Sequence, residues 1–351
     1  MNKISIFLIV VFLYSCQQGK SPTDSVNVVN ASLETVSCVA VNDDDAADDP
    51  AFWFNKNDPD MSYIFGTNKT RGLEVYSLLG ERLAEYPIGR INNVDVSLGM
   101  QFGSETIDIV AASNRDFDRI DIWRIRDVPT QLELVSDTNF RTSIKGVYGF
   151  CLWKGENHTF AFVNNKKGEI EQWKLKNDTS FLGFQFVRKY TASGQVEGMV
   201  VDAKTKKLYV GEEDGGIYAY DLTDTASKRE KIPLSGEENS DIKYDIEGLT
   251  IYDNGNQHLL LGSSQGNNRF VVYDLDDSNK YLGAFQVVYG DNDRVEETDG
   301  IDVFPMQISD DYPNGIFICQ DGFNKNEKGK PVPQNFKIVN WNLIAEVLGI
   351  N

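Results

Sequence analysis

The chain has 351 residues, room for one large closed domain, and 41% hydrophobic with 25% charged residues is ordinary globular usage, which excludes global disorder. Asp and Glu number 53 against 34 Lys and Arg, a formal charge of −19, and so acidic a surface repels polyanions and argues against a nucleic-acid partner. An anionic substrate would need something to reverse that sign locally.

The first expected element is an export signal. Met1 to Cys16 carries Lys3 as its only charge, then an apolar run from Ile4 to Leu13. That run is too short for a membrane span, which needs about 20 residues. Leu13-Tyr14-Ser15-Cys16 resembles a bacterial lipobox, in preference to a plain secretory signal. Residues 1–16 are therefore expected to be a lipoprotein signal, with Cys16 lipidated and the protein held in the cell envelope, facing the periplasm or the outside, touching membrane only through its lipid. Gln17 to Ser37 is rich in Ser, Thr, Asn and Gln and reads as a flexible tether, leaving 38–351 as one domain. Next comes the acidic run Asn42 to Asp49, either a solvated linker or, since it leads straight into the first repeat, a source of calcium ligands in Asp45 or Asp49.

Two motifs then recur six times each. The first is a polar residue opening a short apolar run: Asp49-Pro50-Ala51, Asn92-Asn93-Val94-Asp95, Tyr148-Gly149-Phe150, Glu197-Gly198-Met199, Glu247-Gly248-Leu249 and Asp299-Gly300-Ile301. From Asp49 through Asn93, Tyr148, Glu197, Glu247 and Asp299 the steps are 44, 55, 49, 50 and 52 residues. The second is a polar loop leading into an alternating strand that usually carries an aromatic. It starts at Asn68-Lys69, Asn114-Arg115, Asn165-Lys166, Glu212-Glu213, Ser264-Gln265 and Gln320-Asp321, the last reaching Trp341 after an insertion. A period near 40 to 50 residues signals a propeller or solenoid, and the alternation with Gly-rich turns signals strands. Only Trp341 to Leu348 has sustained helical periodicity. The fold predicted is all-β, a six-bladed β-propeller, whose radial closure protects the sheet edges.

Cys38, Cys151 and Cys319 lack metal-ligand spacing and read as small buried strand residues. His158 and His258, each in a polar stretch, read as solvent-exposed, so a phosphohistidine or zinc mechanism lacks its residues. There is no Walker loop or dinucleotide fingerprint.

In a propeller, equivalent residues of successive blades converge on one channel mouth. One ring is expected to hold Asp49, Asn93, Tyr148, Glu197, Glu247 and Asp299, and a second Lys69, Arg115, Lys166, Glu213, Gln265 and Asp321. Turn chemistry alone explains any single copy, but does not require cations in one half of the blades and acids in the other. Crowded carboxylates need a cation between them, and oxygen ligands without His or Cys suit calcium. Several calcium ions, with Lys69, Arg115 and Lys166, would convert an acidic mouth into a phosphate site.

The stretches Asp48-Asp49-Pro50-Ala51, Thr67-Asn68-Lys69, Asn92-Asn93-Val94-Asp95, Ala111-Ala112-Ser113-Asn114-Arg115, Val147-Tyr148-Gly149-Phe150, Asp245-Ile246-Glu247-Gly248-Leu249-Thr250, Ser263-Ser264-Gln265-Gly266-Asn267, Thr298-Asp299-Gly300-Ile301-Asp302 and Gln334-Asn335-Phe336-Lys337 resemble the β-propeller phytases, alkaline calcium-dependent bacterial 3-phytases. The resemblance runs from about residue 40 to the end. It implies several Ca2+ ions as cofactor, phytate or calcium phytate as substrate, and a monomer. It also implies that Lys69, Arg115, Tyr148, Lys166 and Asp299 act on substrate phosphate, with Asp299 near the scissile group and Lys167 and Glu213 adding to substrate binding. The calcium ligands implied are Asp45, Asp49, Pro50, Val94, Tyr148, Glu197, Glu213, Asp245, Glu247, Gln265, Asp293 and Asp321. One departure stands out: the family usually has Glu where this chain has Lys167, a cation in place of a carboxylate.

The chemistry expected is in-line attack on phosphorus by a calcium-bound water, with cations neutralising the equatorial oxygens and a second phosphate anchored nearby. Two other classes fit less well. A lactonase-like calcium propeller would need no Lys/Arg clamp, and a non-catalytic surface propeller would need no such concentration of oxygen ligands.

Overall fold

Runs of β-branched and aromatic residues separated by polar turns form strands, and among the described residues one short α-helix leaves no helical layer to cover a large sheet. In the computed structural model, which describes residues 26–40, 45–126, 131–177, 181–225 and 228–350, the strands form six small sheets, one per repeat. The innermost strands are Ala47–Trp53, Ile91–Phe102, Val147–Lys154, Val196–Asp202, Ile246–Asp253 and Ile301–Phe304. Each packs against the next, and the sixth returns to the first, closing the ring. The six-bladed β-propeller is the fold read from the repeats.

The apolar face of each blade is buried against its neighbour. Between blades 1 and 2, for instance, Phe65, Val75, Ile91 and Val110 form one cluster. Fully burying a Val, Leu, Ile or Phe contributes roughly 1.5–3 kcal/mol, so the ring is held chiefly by these seams. Cys38, Cys151 and Cys319 are buried and unbonded, as expected.

Blades 5 and 6 are completed by the start of the chain. Asn27–Asn30 runs parallel to Lys280–Tyr289, with Asn27 opposite Phe285. Leu33–Glu34 pairs antiparallel with Asn335–Asn340, Leu33 opposite Ile338. The sheet thus begins inside the stretch expected to be tether, ahead of the boundary drawn at residue 38. The physical reason is that Val29 is buried among Phe285, Val287, Trp341 and Ile344, and blade 6 would otherwise expose an unpaired edge. The signal segment and Cys16 lie outside the described residues, as does Asn42 to Asp44.

Two further expectations are corrected. The last repeat does not reach Trp341 as a strand: its strand ends at Asn340, whose side chain caps the helix Trp341–Leu348 by accepting from the Asn342 N–H at 2.9 Å. His258 is buried, not exposed, because its ring nitrogens lie 3.0 Å from both Asp202 and Asp276, bridging blades 4 and 5. His158 is exposed.

Candidate active site and metal centre

The mouth is shaped by a bulge repeated at the start of the innermost strand in blades 1 to 5. In blade 1, Ala47 pairs with Asn68 and Pro50 with Gly66, so the inner strand advances three residues while its partner advances two. The same slip occurs between Ile91 and Val94, Val147 and Phe150, Val196 and Met199, and Ile246 and Leu249. A bulge re-aims the looped-out side chain. The first looped-out residues are Asp48, Asn92, Tyr148, Glu197 and Glu247, and Asp299 stands equally far ahead of Ile301 in blade 6. The observed ring therefore holds Asp48 and Asn92 where Asp49 and Asn93 were expected, a shift of one residue.

Glycine follows the ring residue in blades 3 to 6 because the neighbouring backbone comes too close for a side chain. A Cβ on Gly149 would lie 2.0 Å from the Glu197 carbonyl oxygen, and one on Gly198 would lie 2.0 Å from that of Glu247. The Gly248 N–H donates to the Asp299 carbonyl at 2.7 Å, and the Gly300 N–H to that of Asp48 at 3.0 Å. In blades 1 and 2 Asp49 and Asn93 take this second position and point down the channel. There Asp49 accepts from the Val94 N–H at 3.0 Å, and Pro50 and Val94 line the narrow passage beside it.

The second ring follows the same register. Lys69, Arg115, Lys166, Glu213 and Gln265 each succeed the residue that ends the second strand. In blade 6 that strand ends at Asp321, so the equivalent position is Gly322. Asp321 instead matches Asn68, Asn114 and Asn165 and is fully buried. With Asp293 and Glu34 it surrounds the buried Lys337 ammonium, 2.5 Å from Asp293 and Glu34 and 3.2 Å from Asp321. Asp293 and Asp321 thus lie beside the cleft, not in it.

The cleft itself has a volume of about 730 Å³, and Asp45, Lys69, Tyr148, Lys166, Glu213, Asp245, Glu247, Gln265 and Asp299 all line it. Lys69 Nζ lies 2.9 Å from Asp45, 2.9 Å from Asp299 and 3.5 Å from Asp48. Gln265 donates to the other Asp299 oxygen at 2.7 Å. Lys166 Nζ lies 4.1 Å from the Tyr148 ring centroid and the Arg115 guanidinium 5.6 Å from it, so two cations flank one aromatic ring. Asn92 links the two halves: it accepts from Arg115 at 3.0 Å and donates to Glu197 at 2.7 Å. Lys167 is exposed in the same turn as Lys166.

Carboxylates so crowded resist ionisation together. Burial, reinforced by the Asp48 charge, pushes the Asp299 carboxyl up to about 7 against the pull of Lys69. Burial likewise raises Asp48 and Glu247 well above the usual carboxylate range. Burial alone would lower Lys69, but the charges of Asp48, Asp299 and Asp45 more than overcome it, and the ammonium is held charged. Burial and the Glu197 charge raise the Tyr148 hydroxyl, which stays protonated.

The residues fit a hard divalent cation. Oxygens of Glu197, Glu213 and Glu247 lie within 4.8 Å of one another. Both carboxylate oxygens of Asp48 and Oε2 of Glu247 are buried without a hydrogen-bond partner. Buried polar atoms are rarely left so, and an all-oxygen donor set is the one calcium prefers. Asp48 and Asn92 were missed by the sequence reading.

The family model described as Phytase matches residues 6–351. A 3-phytase of Bacillus subtilis (strain 168) is 38% identical over 316 residues, 87% of this chain and 82% of that protein. A solved luciferin-regenerating enzyme is similar in fold alone, with a TM-score of 0.54 at 10% identity over 84% of this chain and 91% of its own. The ring of acids and cations thus sits in a chain matched almost end to end by one family, and the chain belongs to the phytase family.

Proposed function

We propose that this protein is a calcium-dependent phosphomonoester hydrolase releasing phosphate from myo-inositol hexakisphosphate. The observation that carries the reading is the meeting at one mouth of three cations, Lys69, Arg115 and Lys166, with the carboxylates of Asp48, Glu197, Glu213, Glu247 and Asp299. The family membership and the 3-phytase relative support the same substrate.

Asp48, Glu197, Glu213, Glu247 and Asp299 would hold calcium, with Asp45, Asp245 and Gln265 within the same cleft. When bound, the metal supplies positive charge for the phosphoryl oxygens and a more acidic water. Everything else falls to the protein. Lys166 and Arg115, spaced by the Tyr148 ring, receive phosphate oxygens. The Tyr148 hydroxyl, kept protonated, donates a hydrogen bond. Lys69 on one oxygen and Gln265 on the other hold the Asp299 carboxylate in one orientation beside the reacting phosphate. The remaining cations of the rim can seat a second phosphate, which favours polyphosphorylated substrates.

The export reading of residues 1–16 belongs to the same proposal. The lipobox-like Leu13-Tyr14-Ser15-Cys16 supports an anchor at Cys16 holding the protein in the cell envelope. The test is phosphate release from inositol hexakisphosphate by the mature protein. Release should require calcium, stop on strong chelation and return when calcium is restored. Activity indifferent to chelation would remove calcium from the reading, and no release from any inositol phosphate would remove the reading itself.

A further inference from the structure

One wall of the cleft presents apolar surface beside its Lys325–Glu296 ion pair. It comes from the excursion between the last two strands of blade 6, where Phe323, Pro331 and Val332 line the same cavity as Lys69 and Lys166. Phe323 is 55% exposed. The backbone that carries it is held in place. The Phe323 N–H donates to Asp321 at 3.2 Å and the Gly322 N–H to the Glu296 carbonyl at 2.8 Å. The two arms of the excursion are tied by the Val332 N–H to the Asn324 carbonyl at 3.0 Å and by Asn324 Nδ2 to the Pro333 carbonyl at 2.9 Å. Lys325 is anchored to Glu296 at 2.9 Å.

A water-exposed ring on a braced backbone, facing a polar cleft, carries a standing hydrophobic cost that a ligand can relieve. The ligand that relieves it must be charged at its edge, to meet Lys69 and Lys166, and apolar on a flat face, to meet Phe323. A ring carrying phosphate esters has that character: its phosphates project from the periphery and its C–H bonds cover its faces. An acyclic phosphomonoester has the charge without the face.

We propose that Phe323, flanked by Pro331 and Val332, is a platform for the carbocyclic face of the substrate and selects cyclic polyol phosphates over acyclic ones. This rests on the phytase reading. Phe323 acts on binding and not on the reacting atoms, so it belongs in KM and leaves kcat alone. Covering the exposed part of a phenyl ring is enough for about a tenfold effect on affinity.

The experiment compares wild type with Phe323→Ala and Phe323→Trp in saturating calcium. Expected for Phe323→Ala is a KM for inositol hexakisphosphate about tenfold higher, kcat within about twofold, and an unchanged KM for glycerol 2-phosphate; Phe323→Trp should restore the ring substrate. Calorimetric titration with inositol hexasulfate, a ring polyanion without phosphate to release, reads the platform without turnover and should show the same weakening. Equal loss on both substrates, or hexasulfate binding unchanged in Phe323→Ala, overturns the platform. If wild type released nothing from the ring substrate but hexasulfate still distinguished the variants, the phytase reading would fail and the platform would stand.

Discussion

Replacing Lys69 by Met keeps the stem and deletes the ammonium that three carboxylates share. The contact with Asp45, whose side chain is 69% exposed, contributes less than about 1 kcal/mol once solvent screening is allowed for. The other two partners decide the outcome, since Asp48 is 1% and Asp299 15% exposed. Removing the one cation from a buried group of like charges costs roughly 3–5 kcal/mol, less whatever the carboxyls recover by taking up protons. At roughly 2–4 °C per kcal/mol for a large domain, the variant should melt about 10 °C below wild type in excess chelator. Calcium should close most of that gap, because a divalent cation and the Lys69 ammonium satisfy the same oxygens. Thermal unfolding of both proteins, with chelator and with calcium, reads the two effects separately, and phosphate release should stay low in the variant in either case. A variant that melts with wild type in chelator would refute the charge balance assigned to this mouth.

Gly198→Ala should push blade 5 away from blade 4, because the new Cβ meets the Glu247 carbonyl oxygen at 2.0 Å and its carbon at 2.9 Å, neither of which can move alone. A loss of about 3 kcal/mol in urea unfolding and weaker calcium binding are expected, against no measurable change for Gly194→Ala, where nothing lies within 4 Å. Burial holds the Asp95 carboxyl up at about 7, against the Leu152 N–H that it accepts at 2.7 Å. Since this lies above the ordinary value of 3.8, the stability that its protonation brings is complete below about pH 4 and is lost as pH rises through 7. Wild type measured in chelator should therefore lose up to about 2 kcal/mol between pH 5.5 and 7 through this group, while Asp95→Asn, weaker at low pH for one lost hydrogen bond, should follow a flatter profile. Parallel profiles would place the pH dependence elsewhere.

The blade count was legible because one bulge recurs in five blades and one turn in all six, and both leave polar residues at fixed spacing. Their register was not. Asp48-Asp49 and Asn92-Asn93 offer two polar residues where the other blades have one followed by Gly, and only the strand pairing tells which of each pair faces the mouth. Asp321 was misplaced by one position for the same reason, its neighbour Gly322 having no side chain to mark the turn. Asn27–Asn30 and Leu33–Glu34 escaped notice because they are short, belong to no repeat, and pair with strands more than 250 residues away. His258 looked exposed because its partners Asp202 and Asp276 are brought to it only by the packing of two blades.

Blade 6 is built from both ends of the chain, and blade 5 joins Asn27–Asn30 to a cluster that includes Trp341 and Ile344. A ribosome releases these partners at opposite times. Until the last strand has emerged, five blades must wait with their first and last seams open and the inner face of blade 1 uncovered, so the mouth cannot assemble early from a partial ring. Closure is then a long-range event that draws the two ends together at once, which makes folding slow by topology. The same latch makes the finished ring responsive to its start: a load on the N-terminus bears first on the strand that completes blade 5, and through Glu34 and Lys337 on the cluster beside the cleft.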